Sequence, residues 1–171
     1  MCTLFIYRSK NTDWPIFIAN NRDEFLSRKF YSPGYYWQDN AIFAGKDLLE
    51  GGTWMGINKN GLCAVILNRN SISLKKKESR GHIIIEVLRH TDAYSALRDL
   101  KRTFKRNTKF FNLLILDYKN SYWIKYNEDG LIDSKVPYGY SIIDNFDLND
   151  KRSLKQKLSK RLFLEKKLPD P

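Results

Sequence analysis

The sequence is poor in cysteine and histidine, with two of each in 171 residues. Two cysteines give neither a disulfide framework nor a zinc set, which needs about four closely spaced Cys or His ligands. Five prolines and nine glycines exclude a collagen-like or low-complexity chain. No apolar run approaches the roughly 18 residues of a membrane span. The opening TLFIY is too short for a secretory h-region and the charged RSKNTD follows at once, so a cytoplasmic location is expected. Carboxylates are also outnumbered, 19 against 30 Lys and Arg, for a net charge of +11. That excess is spread over Lys75–Lys77, Lys101–Lys109 and Lys151–Lys167 instead of one stripe. A solvated basic surface is therefore expected, and no nucleic-acid partner.

What is present is a chain with 42% hydrophobic and 14% aromatic residues, long enough to bury a core as one domain spanning residues 1–171. Thr3 to Arg8 and Pro15 to Ala19 are apolar, β-prone runs around a polar turn, and read as a hairpin. Its second strand ends in Asn20-Asn21-Arg22-Asp23-Glu24, so antiparallel pairing sets that block beside Cys2. Phe25 to Asn40 mixes aromatics with Pro33 and Gly34 without a period, and reads as a long surface loop. IFAGKD, TWMGIN and LCAVILN read as three strands, the last apolar throughout as a strand covered on both faces should be. His82 to Phe104 has helical spacing, as one helix or as two broken near Thr91 and Asp92. NLLILDY, SYWIKYN and LIDSKV form a meander, and YGYSIIDN adds a further strand. Leu154, Leu158, Leu162 and Phe163 are spaced as the buried stripe of a last helix. Blocks of strands alternating with helices predict an α+β fold, mostly antiparallel sheets with helices outside.

Cys2 is either an ordinary strand residue or, once Met1 is removed, a nucleophile attached to its own base. The freed α-amine has an ordinary pKa near 8 and lies within reach of the thiol directly or through one water. Asp23 can orient that amine, and Arg22 can favour a thiolate and fix the carboxylate. Asn68, at the end of LCAVIL, can donate its amide N–H to an oxyanion, and Asn145 is a second such candidate. Asn21, Trp54, Tyr36 and Trp37 are the candidate substrate-contacting residues. Cys63, within the apolar strand, reads as core. No metal and no cofactor is expected.

MCTLF, ANNRDEF, AGKDLLEGGTWMGINKNGLCAVILNRN and the later YGYS with its basic helix resemble the NRDE family, also called the transport and Golgi organisation protein 2 family. That family is similar to the N-terminal-nucleophile (Ntn) cysteine hydrolases, including penicillin V acylase and bile salt hydrolase. The resemblance implies a four-layer αββα sandwich and hydrolysis of a linear, non-peptide amide C–N bond. It also implies site roles for Cys2, Arg22, Asp23 and Asn68. Family members usually continue beyond this length, so a C-terminally incomplete sandwich is expected. The alternative it implies is a non-catalytic carrier or trafficking factor for an apolar anionic ligand such as haem or acyl-CoA, held by FYSPGYYW and the basic face.

Overall fold

A computed structural model of the chain describes residues 2–10, 14–37, 41–70 and 78–164, with side chains as far as Leu162. Met1, Lys75–Lys77, Phe163's side chain and the LPDP tail lie outside the described residues.

Strands β1 (Thr3–Arg8), β2 (Ile16–Asn21) and β10 (Gly139–Ile143) form one antiparallel sheet in the order β10-β1-β2. The other seven follow sequence order: β3 (Phe30–Tyr35), β4 (Ile42–Asp47), β5 (Met55–Asn58), β6 (Cys63–Asn68), β7 (Phe111–Leu116), β8 (Ser121–Asn127) and β9 (Gly130–Lys135). Consecutive neighbours are what a meander produces, interrupted only between β6 and β7 by the helical segment, and every strand pair is antiparallel.

The period-two alternation of β6 decides the layering. Ala64 and Ile66 join the core under helices α1 (Gly81–Leu88) and α2 (Ala93–Thr103). Cys63, Val65 and Leu67 face the other way, onto Leu4, Ile6 and Ile143 of the three-stranded sheet. Helix α3 (Leu154–Leu164) packs against β10 and adds the fourth layer, giving the αββα sandwich. No helix among the described residues is long and apolar enough to cross a membrane.

Of the two readings of His82 to Phe104 the structure has two helices, broken where Asp92 caps the second: its carboxylate accepts from the Ser95 N–H at 2.8 Å. Tyr94, spaced as if for the core, is exposed.

Two expectations are corrected. Phe30–Tyr35 is a strand rather than a loop. Pro33 obscures it, but β3 is an edge strand and its register shifts between Tyr31 and Gly34, the place where a sheet tolerates a proline. Leu154, Leu158 and Leu162 do not form a buried stripe and are 68%, 58% and 61% exposed. Helix α3 instead turns its polar side inward: Ser153 Oγ, just before the helix, donates to Asp144 Oδ2 at 2.5 Å, and Gln156 Nε2 donates to Asp144 Oδ1 at 2.8 Å. Satisfying the buried Asp144 sets the rotation of the helix against its leucine spacing.

Candidate active site

The β1–β2 register pairs Thr3 with Asn21, so the next positions outward are Cys2 and Arg22. The Cys2 thiol lies 3.7 Å from the Asp23 carbonyl oxygen, to which it donates. Asn21 Nδ2 donates to Asp23 Oδ1 at 2.6 Å, and Lys155 Nζ of α3 stands 3.5 Å from Asp23 Oδ2. The Asp23 carboxyl is held below its ordinary value chiefly by a hydrogen bond from the chain's amino-terminal ammonium; burial opposes the shift, and Asn21 and the charge of Lys155 add to the lowering.

Asp47, buried at the end of β4, organises the ground beside the thiol. Its Oδ1 accepts the N–H groups of Leu49 and Glu50 at 3.0 and 3.1 Å, which closes the LLEGG turn. Its Oδ2 accepts from Arg28 Nε at 2.7 Å and Arg22 Nη2 at 3.3 Å. Arg22 thus comes off the strand end with a fixed direction, and its guanidinium lies 4.4 Å from the Trp54 ring centroid. Gly45 makes room for that ring, since a Cβ there would come within 2.7 Å of Trp54.

Burial alone would raise the Asp47 pKa, but the Arg28 hydrogen bond and charge and the two turn N–H groups outweigh it and hold the carboxyl below 3.8. A carboxyl depressed in the folded state contributes its full stabilisation above the unfolded value and loses it as pH falls through the folded one. Urea unfolding between pH 5 and 2.5 should therefore show stability falling with acid, with a shallower fall in Asp47→Asn. An unchanged slope in that variant would count against the clamp.

One cavity of about 180 Å³ collects these parts. Cys2, Arg22, Trp54 and Asn68 line it together with Arg28, Asp47 and Arg80. Asn68 arrives at the end of β6, opposite Phe111 of β7. Of the residues proposed from sequence, Asn21 and Asp23 stand beside this cavity through the strand-end hydrogen bonds. Asn145 does not line it: it is buried beyond β10, and its Oδ1 has no partner among the described residues. Tyr36 and Trp37 line a different cavity, against Asn58, Ile85 and Leu88. They follow β3, whose extended course along β4 carries them away from the β1–β2 end.

Arg28, Asp47 and Arg80 were not anticipated. The available signal was the glycines. A Cβ on Gly52 would fall 2.6 Å from the Gly81 carbonyl carbon, so LLEGG and SRG form one close contact that brings Arg80 to the thiol.

Comparison with known proteins adds to this geometry. The family model for Transport and Golgi organisation 2 matches residues 1–168. The Transport and Golgi organization protein 2 homologs of Homo sapiens and Bos taurus are 32% and 30% identical over 115 residues, 64% of this chain. The chain spans 41% of the length of each. Among solved structures, the C2A mutant of conjugated bile acid hydrolase from Clostridium perfringens aligns over 96% of this chain and 58% of its own, with a TM-score of 0.55 at 13% identity. The N-acylethanolamine-hydrolyzing acid amidase ortholog of Caenorhabditis elegans aligns over 94% and 74%, with a TM-score of 0.51 at 12% identity. Identities this low speak for a shared Ntn-hydrolase fold and for nothing finer.

Proposed function

The chain belongs to the Transport and Golgi organisation 2 family, and from that premise we propose that it is an N-terminal-nucleophile cysteine amidohydrolase acting on a linear, non-peptide amide. The observation that supports this most is the meeting of Cys2, Arg22 and Asn68 in one cavity, with Asp23 at the same strand end accepting from the Cys2 thiol through its carbonyl oxygen.

Removal of Met1 transfers the free amine to Cys2. That amine takes the thiol proton, Arg22 favours the resulting thiolate, and sulfur attacks the amide carbonyl carbon. The carbonyl oxygen takes up the negative charge, and the Asn68 side-chain N–H is the donor suited to hold it. As the C–N bond breaks, the ammonium returns its proton to the leaving amine, and a thioester remains on Cys2. Water attacks the thioester, giving its proton to the amine, and the thiol is released with the carboxylic acid.

Intact-mass analysis with a thiol-selective electrophile tests this. Cys63 is buried, and burial pushes its thiol up to about 12, so it is a poor competitor for the label. The expected product has lost Met1 and carries one adduct, on Cys2. Retention of Met1 in the purified protein would sink the mechanism, because no free amine would adjoin the thiol.

A further inference from the structure

Three guanidinium groups line the Cys2 cavity, and they are not equivalent. Arg28 is tied to Asp47 at 2.7 Å and to Glu24 at 3.6 Å. Arg22 is tied to the same two carboxylates at 3.3 and 3.9 Å. Arg80 has neither: its one hydrogen bond among the described residues runs from Nη1 to the Phe110 carbonyl oxygen at 3.0 Å. The other carboxylates of the lining, Glu50 and Glu78, are exposed.

Arg80 is placed there firmly. Gly52 and Gly81 pack backbone to backbone, and the Thr53 N–H donates to the Gly81 carbonyl at 3.3 Å, so the corner that carries Arg80 is held against the segment that carries Trp54 into β5. A guanidinium has five N–H donors, and one carbonyl leaves most of them unused. Burial and the neighbouring Arg28 both disfavour its charged form, lowering its pKa from the ordinary value, whereas negative charge on Cys2 and, more weakly, on Glu24 favours it without forming an ion pair. A partly buried cation in that position is completed by an anion from outside the chain, and a carboxylate matches its planar fork in two parallel hydrogen bonds.

We propose that Arg80 is a specificity-determining residue that receives a carboxylate of the substrate, so that the site takes amides bearing a carboxylate in preference to neutral amides. The proposal rests on the cavity being the substrate site, as in the hydrolase reading, but its test needs no turnover.

The Cys2→Ala protein, full length, is titrated calorimetrically with two matched pairs. Hexanoylglycine against hexanoylglycinamide places the carboxylate on the leaving-amine side, and adipic acid monoamide against hexanamide places it on the acyl side. The expected result is about tenfold tighter binding of the carboxylate in at least one pair, and the pair that shows it tells which side faces Arg80. Arg80→Gln should erase the difference, and Arg80→Lys should keep part of it, having charge without the fork. Equal affinities within both pairs, no binding of any probe at millimolar concentration, or a preference that survives Arg80→Gln would overturn the proposal. Should Arg80→Gln fail to fold, as judged by circular dichroism, Arg80→Lys decides, and an undiminished preference there overturns it. A carboxylate preference in a protein whose unmutated form never turns over the same amides leaves Arg80's role standing and removes the hydrolase reading.

Discussion

Replacing Cys2 by alanine is expected to lower kcat/KM for amide hydrolysis on the order of 10³-fold or more, with folding and substrate binding retained. The side chain is half-buried at the edge of the inter-sheet core, and alanine vacates only a sulfur atom there. Chemically the change is total, since no other described thiol is available: Cys63 faces the core between the sheets. Serine at position 2 keeps the amine and the geometry but presents a poorer nucleophile, so it should lie between wild type and alanine. The measurement is steady-state hydrolysis of hexanoylglycine with parallel thermal melts. An alanine variant as active as wild type would end the nucleophile assignment.

The largest expected stability effect belongs to a residue with no part in the chemistry. Asn112 of β7 is fully buried and uses all its polar capacity. Its Oδ1 accepts from Arg69 Nη1 at 2.8 Å and Trp123 Nε1 at 3.0 Å. Its Nδ2 donates to the carbonyls of Asp144 and Phe146, each at 2.7 Å. Those carbonyls follow β10, so one carboxamide stitches the seven-stranded sheet to the exit of the three-stranded one. Asn112→Ala leaves a buried indole N–H and two carbonyls without partners, each costing about 1 to 3 kcal/mol, so a loss of at least about 3 kcal/mol is expected. Urea denaturation of both proteins reads this directly, and a loss below about 1 kcal/mol would show that the neighbours re-pair or admit water.

Legibility from sequence followed the range of the interactions. The β1–β2 hairpin set NNRDE beside Cys2 because a short turn leaves antiparallel partners no other choice of neighbour. The unbroken apolar run of β6 likewise announced a strand covered on both faces, and Asn68 at its end came with it. Arg80 was hidden because its position depends on a glycine–glycine contact between segments about thirty residues apart, and neither segment alone signals a partner. Asp47 was hidden because an Asp before a turn is ordinary until two arginines converge on it. The leucine spacing of α3 misled, because periodicity reports that a helix has an apolar face and not which face a buried carboxylate will claim. Asn145 and Tyr36 illustrate the same limit: residue type suggested a role, and the course of the backbone put them elsewhere.

The sequence by itself determined the strands other than β3, the helices, the antiparallel pairing and the family, because these rest on local periodicity, turn chemistry and ordered motifs. Only the tertiary structure decided which charges are spent on one another. Arg22, Arg28 and Arg80 are the same residue type in the sequence. The position of Asp47, fixed by the LLEGG turn, ties the first two to a carboxylate and leaves the third open to the cavity, because ion pairing depends on separation in space and not along the chain.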